Sequence, residues 1–337
     1  MSQRTRYFLI GSAVVVILGL GVGAVAYYNG NLPLKSRMGP EEFSYLPADV
    51  NAVAFANVGA IMASPFTQKL RQVLPTGEEK AKIQEALGLD IERDIDSVVA
   101  GGNGAGPAEK GIVLVRGRFN TGHLEALALQ HGGRAQEYKG KKLIVFGDEN
   151  RDPVPGSHPF AALAFFEPNL LAFGERSAIE AAIDTKTTGQ DVTKNADLMK
   201  LVGEVQAGSD SWVVGNFAAI RQGANVPAEV QKHIPAVQWF ALSANLNGGV
   251  NGVIRAEAID EKSGEELRAV VNGLLAAGRL VSGQDKRIEA MLNAMQVSGT
   301  GKTASVAFTI PPEILDIING VAAMKNLHEG SQRQHGK

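Results

Sequence analysis

The sequence predicts an α+β protein: antiparallel sheets with packed helices, a module written twice, behind a single amino-terminal transmembrane helix. Three observations carry this. Tyr7 to Tyr28 is an unbroken, uncharged apolar run, YFLIGSAVVVILGLGVGAVAYY, long enough at helical rise to cross the ~30 Å hydrocarbon core of a bilayer. Beyond it, short apolar strands follow one another through hairpin turns with helices between the sets, which favours α+β layers over a parallel α/β sheet. The same element order then recurs in the second half, at low residue identity.

Residues 1–6 read as a short cytoplasmic tail and residues 7–28 as a signal-anchor. Arg4 and Arg6 with Ala24-Val25-Ala26 would also suit a cleaved signal, but such a signal needs an apolar run of only about 7–15 residues. Tyr27 and Tyr28 close the span where amphipathic rings favour the interface. The flanking charges, Arg4 and Arg6 against Lys35, Arg37, Glu41 and Glu42, bias the bulk of the chain to the extracytoplasmic side. The expectation is a single-pass protein of a bacterial inner membrane with a periplasmic domain. Residues 29–45, polar and punctuated by Pro and Gly, read as a linker.

The first module is read over residues 46–190. Val50 to Val58 is strand-like. Ser64-Pro65 starts a helix, with a capping hydroxyl and proline at the first helical position, and Phe66, Leu70 and Val73 follow at helical spacing. A second helix, Glu78 to Leu87, stops at Gly88. Strands at Ser97–Ala100 and Gly111–Phe119 flank a glycine-rich loop, Gly101 to Gly106. A helix from Thr121 to Gln130 ends at Gly132-Gly133, and two strands meet at Lys139-Gly140-Lys141. After a proline-rich loop, Asp152 to Pro159, Ala161–Phe166 and Leu170–Phe173 form a hairpin, and Glu175 to Thr185 a closing helix.

The second module is read over residues 191–325. Ser211–Phe217 is a strand in the place of Asn51–Asn57, followed by a helical stretch broken near Pro227 and Pro235. Val237–Leu246 and Val250–Ala258 form a hairpin over Asn247-Gly248, a strong turn signal. A helix from Glu261 to Val281 carries Leu267, Val271 and Leu274 on one face, and a shorter one covers Asp285–Met295. Gln296–Ser298 and Thr303–Ile310 form the last hairpin, and Pro312 starts a final helix. The duplication matches Gly111–Gln130 with Gly252–Leu275 and Gln136–Phe146 with Gln296–Phe308. Residues 326–337 read as a disordered polar tail.

Composition excludes several chemistries. The chain has no cysteine, hence no disulfide, thiolate metal site or thiol nucleophile. Net charge is −2, with charged residues spread without long blocks, so no nucleic-acid stripe stands out. The six histidines (His123, His131, His158, His233, His328, His335) are scattered singly, without the i, i+4 pairing a zinc helix uses. No G-x-S-x-G elbow is present.

Four motifs remain, each with a structural reading. Ser298-Gly299-Thr300-Gly301-Lys302-Thr303 carries the GKT end of a phosphate loop. Gln296 stands where the opening glycine belongs, and the following residues alternate as a strand, so it reads as a hairpin turn. Gly101 to Gly106 lacks the dinucleotide order, with Pro107 at the last glycine, and enters a strand. Asp90-Ile91-Glu92-Arg93-Asp94-Ile95-Asp96 lacks the central glycine of a calcium loop. It reads as a capped turn with Ile91 and Ile95 inward and Arg93 as a charge partner. Trp239-Phe240 and Phe165-Phe166 read as core. No catalytic, cofactor-binding or metal-binding residue is assigned, and no cofactor is expected.

The anchor, the opening YLPADVNAVAFANV, the segment GLDIERDIDSVV and the stretch SVAFTIPPEIL together resemble a group of membrane-anchored bacterial envelope proteins of unknown function. The resemblance is one of layout and implies an envelope location. The leading functional expectation is a non-catalytic anchored protein that scaffolds or binds another protein or envelope component. The alternative is an anchored hydrolase or ligand-binding sensor with a cleft between the two modules. Nucleotide binding at Gly301-Lys302-Thr303 ranks third. The expected partners are the membrane, through residues 7–28, and an envelope protein, with no nucleic acid.

Overall fold

The computed structural model describes residues 39–73, 84, 87–103, 111–147, 161–217, 235–246, 249–281 and 286–311. The apolar run 7–28, most of the linker and most of the helix read at Glu78–Leu87 lie outside these residues. So do the tip of the glycine-rich loop, the Asp152–Pro159 loop, the stretch at Pro227, the Asn247-Gly248 turn, the helix from Pro312 and the tail. Among the described residues no helix is long and apolar enough to cross a membrane.

The fold is α+β, with one antiparallel sheet of twelve strands. The strands are β1 (Ala52–Asn57), β2 (Ile95–Gly102), β3 (Gly111–Gly117), β4 (Arg134–Tyr138), β5 (Lys141–Val145) and β6 (Ala161–Glu167). They continue with β7 (Leu170–Glu175), β8 (Ser211–Asn216), β9 (Val237–Asn245), β10 (Val250–Ala258), β11 (Gln296–Ser298) and β12 (Thr303–Ile310). Their order across the sheet is β11-β12-β10-β9-β8-β1-β2-β3-β7-β6-β5-β4. The modules read at 46–190 and 191–325 therefore meet through the β1–β8 ladder, in which Ala54 lies opposite Val213. Outward from that pair each side runs a strand, its two antiparallel neighbours and a further hairpin.

One expected correspondence is corrected. β12 pairs with β10, and the strand that pairs with β3 is β7, whereas β5 pairs with β6. The counterpart of the last hairpin is therefore β6–β7, and β4–β5 is an additional hairpin at the edge. Its two-residue turn places Lys139 at φ 47° and Gly140 at φ 76°, the twist that matches flanking right-twisted strands.

The helices are α1 (Val58–Ala63), α2 (Pro65–Val73), α3 (Ile91–Asp94), α4 (Thr121–Gln130), α5 (Arg176–Thr188), α6 (Ala196–Val205), α7 (Glu261–Val281) and α8 (Lys286–Ala294). Side-chain oxygens hold their first turns where the sequence offers them: Asn57 accepts from Ala60 N at 3.0 Å, Ser64 from Thr67 N at 3.1 Å, and Asn120 from His123 N at 3.1 Å. Asn195 accepts from Leu198 N at 3.2 Å and Asp260 from Ser263 N at 2.7 Å. Such caps satisfy orphan N–H groups, at about 1 kcal/mol each. The Ser263 N–H and hydroxyl, with Lys302 behind them, also hold the Asp260 carboxyl below its ordinary pKa.

Strand alternation sorts the core onto two faces. The inner face carries Val53, Val99, Leu114, Ala172, Leu143, Trp212 and Val214 in one continuous cluster. Covering it are α5, α6 and two 3-10 turns, Glu41–Tyr45 and Val192–Lys194. Residues read as the end of a linker are thus core, because Phe43 is 1% exposed and meets Trp212 edge-on at 6.0 Å. On the outer face, Leu242, Ala244, Val250 and Phe308 form a second cluster with Ile61, Phe66 and Met295. Val58, Leu89 and Ile95 form a third, with Val98 and Val115.

Candidate binding face

The described residues contain one buried carboxylate, Glu42, 4% exposed in the 3-10 turn Glu41–Tyr45. It accepts a hydrogen bond from Arg116 Nε on β3, and Arg116 Nη1 lies 3.5 Å from Glu167 Oε2 at the end of β6. Tyr45 OH donates to the other oxygen of Glu167 at 3.0 Å. Its ring stacks on Phe166 at 4.8 Å and lies under Lys186 Nζ at 4.4 Å. Burial first, and then the bond to Glu167, push the Tyr45 hydroxyl up to about 12. Burial works against the Arg116 charge, but the Glu42 and Glu167 carboxylates outweigh it and raise its pKa. Each charge has its partner inside the protein. The arrangement clamps the first turn onto the sheet and leaves no group poised for proton transfer.

The opposite face of the same strands is apolar. Register lines up Ala54, Ala100, Val113, Phe173, Leu163 and Ile144 in one row across β1, β2, β3, β7, β6 and β5. The row continues across the other half through Val213, Leu242, Ile254, Val306 and Val297. Leu242 is buried under Ile61 and Phe66. In the amino-terminal half Ala54, Ala100, Val113 and Leu163 are only half-buried and Phe173 is 38% exposed. Beside the row, Phe165 meets Phe119 at 5.9 Å, and Leu129 on α4 is 40% exposed. α4 covers little of this row because its ten residues span ~15 Å.

The motifs singled out in the sequence have structural duties. Gly299 (φ 113°) and Gly301 (φ 54°) make the turn between β11 and β12, and the residues after Lys302 are strand β12. Lys302 Nζ donates to Ile259 O at 2.8 Å. Arg268 Nη1 donates to Gly301 O and Thr303 O at 2.9 and 2.6 Å, so the turn seats the first turns of α7. In the acidic run, Asp90 caps α3 by accepting from Glu92 N at 3.1 Å, and Ile95 is buried. The charge partner of Asp94 and Asp96 is Arg118 rather than Arg93. Gly101 and Gly102 belong to β2, with Leu46 lying over Gly101. Trp239 packs against the inner cluster and Phe240 against the outer one. On α7, Leu267 is buried but Leu274 is 63% exposed, off the packed face. Among the described residues no group of three His, Asp or Glu side chains could hold a metal ion. Where the alternative reading needs a cleft between modules, β1 and β8 are hydrogen-bonded.

The fold and this face define a class: a single-sheet antiparallel α+β protein with a half-exposed apolar row on one side. No family model and no curated protein matches the chain. Among solved structures, crystal form III of TP0453 is similar at a TM-score of 0.46 and 8% identity, covering 84% of this chain and 100% of that one. Crystal form I of TP0453 gives 0.42 and 7%, covering 84% and 98%. Crystal form IV gives 0.40 and 9%, covering 82% and 96%. At these scores the likeness carries nothing further.

Proposed function

We propose that the chain is a non-catalytic, membrane-anchored envelope protein that binds or scaffolds another envelope protein. Residues 7–28 anchor it in the bacterial inner membrane as a single span, with the bulk of the chain on the periplasmic side. The domain arose by duplication of one α+β module. The single observation that carries the binding role is the apolar row on the outer face of β1, β2, β3, β7 and β6, in which Phe173 of β7 is 38% exposed. A contiguous half-exposed apolar patch of this kind commonly takes another protein surface.

Two measurements test the reading. Alkaline phosphatase fused to the carboxyl end should be active, and a reporter that fluoresces only in the cytoplasm should stay dark. A photocrosslinking residue at Phe173 of the full chain in living bacteria should capture a discrete protein partner. The same probe at Glu265, exposed on α7, should capture none. Crosslinks from Phe173 confined to the chain itself would mean that the row is covered in cis, and would sink the binding role.

A further inference from the structure

We propose that β4 is an interface: it pairs antiparallel with β4 of a second copy of this chain, about a two-fold axis at Gln136. β4 and β11 are the two borders of the sheet, and the direction of their backbone groups separates them. Phe146 N donates to Ala161 O at 2.8 Å, so the even-numbered residues of β5 bond β6 and the odd-numbered ones bond β4. Arg134, Gln136 and Tyr138 lie opposite Val145, Leu143 and Lys141 and are engaged in that ladder. Ala135 and Glu137 therefore turn both N–H and C=O outward. At the other border Ala258 N donates to Lys302 O at 2.9 Å, which turns the odd-numbered residues of β12 towards β11. Gln296 and Ser298 answer them, and Val297 alone points outward within that strand.

The sequence of β4 is self-complementary in one register. An antiparallel pair centred on Gln136 sets Ala135 opposite Glu137 of the second copy and uses every outward N–H and C=O of both strands. Arg134 then faces Tyr138 and Lys139 faces Gly133, so no like charges stand directly opposite. Centring on Glu137 would set two carboxylates face to face. Centring on Ala135 would call on Gly133 N, which already donates to Ala128 O at 2.9 Å. The neighbouring cations are answered within each copy. Lys139 Nζ bonds Asp184 Oδ1 and Lys142 Nζ bonds Glu125 Oε2, both at 2.6 Å. Lys141 Nζ donates to Phe166 O at 2.8 Å, and Arg134 Nη2 donates to Gly147 O. Glu137 has Lys142 opposite it in β5. Ala135 and Glu137 are exposed, and the strand has no proline, no lysine and no bulge against β5 to guard its border. Because the same strand serves both copies, the contact closes at a dimer.

The absence of cysteine lets single cysteines report the pairing in the purified full chain. On oxidation by copper phenanthroline, Q136C should form a disulfide-linked dimer, because residues opposite at a non-hydrogen-bonded site lie ~4.5 Å apart at Cα. A135C and E137C should not, because each is diagonal to its own copy across the axis, at ~7–8 Å. Q296C, exposed on β11, reports chance collision and should stay monomeric. Ala135→Pro removes an outward N–H and no bond to β5, so it should abolish the Q136C dimer while the domain still unfolds cooperatively. If Ala135→Pro unfolds the domain, the contrast of Q136C with A135C and E137C decides alone. No Q136C dimer, or equal yields at positions 135, 136 and 137 or at 296, would overturn the proposal.

Discussion

In the amino-terminal half the inner row Val99, Leu114, Ala172 and Ala164 is apolar and at most 1% exposed. The matching row of the carboxyl-terminal half reads Ala241, Arg255, Ser305 and Ser298. On the outer face the carboxyl-terminal half buries Leu242, Ala244, Val250 and Phe308 but leaves Ile254 42% exposed, while in the amino-terminal half Ala100 and Val113 are half-buried, Phe173 is exposed and Ile144 is buried. Backbone register is common to the halves, but the better-buried side is not. Strand alternation sets two sides, and the helices that land on each side then decide which one becomes core. α5 lies over β6, β7 and β3, α6 over β8 and β9, and α7 with α8 against β10 and β12.

The sharpest way to break this comparison is a matched pair of substitutions. Leu114→Ala should cost about 2–5 kcal/mol, as expected for a fully buried leucine. Arg255→Ala at the matching position should cost under about 1 kcal/mol, the range of a partly exposed ion pair. Urea unfolding of the full chain in detergent would measure both, and equal losses would erase the distinction.

Next in size is the Glu42 clamp. Glu42→Ala should cost about 3 kcal/mol, because the largely desolvated Arg116 is left with only its longer contact to Glu167. Adding Arg116→Met should recover part of that loss. No comparable charge is buried among the described residues of the other half.

A smaller effect comes with alkali. The folded state holds the Tyr45 proton more tightly, with a pKa of about 12 against the ordinary 10.0. Its contribution to stability is therefore complete below about pH 10 and is lost as pH rises through about 12. Unfolding midpoints of Tyr45→Phe should fall less steeply over that window than those of the parent chain. Near neutrality the variant should be weaker by about 1 kcal/mol for the lost bond to Glu167.

The smallest stability change belongs to the candidate face. Phe173→Ser should alter stability by about 0.5 kcal/mol or less while abolishing partner capture, measured by pull-down beside the unfolding curve. A large loss of stability would instead make Phe173 core and align the outer faces of the two halves.

Much of the fold was legible because its signals are local. The helix Thr121–Gln130 and the helix Glu261–Val281 have the bounds their spacing and caps imply, and the Lys139-Gly140 turn follows from its residues. The helix α6 was missed although its signal is present: Asn195 caps it, and Leu198, Met199, Leu201, Val202 and Val205 recur at helical spacing and are buried. The burial of Phe43 and Glu42 was not legible, because a Pro/Gly-punctuated charged stretch gives no hint of Trp212 and Arg116 waiting far along the chain. The candidate face was hidden for the same reason. Residues such as Val113 and Phe173 read as core in any strand, and only helix placement leaves them open.

The β1–β8 ladder has a consequence for synthesis. Its strands are joined only after the whole chain between Asn57 and Ser211 has been made, which takes about 8–30 s at ~5–20 residues per second. Until then β1, with the apolar sequence Ala52-Val53-Ala54-Phe55-Ala56, is the free border of a half-built sheet. Such a border invites pairing with another nascent copy. The protein thus passes through an adhesive stage that its finished shape conceals, and holdase chaperones would meet it there.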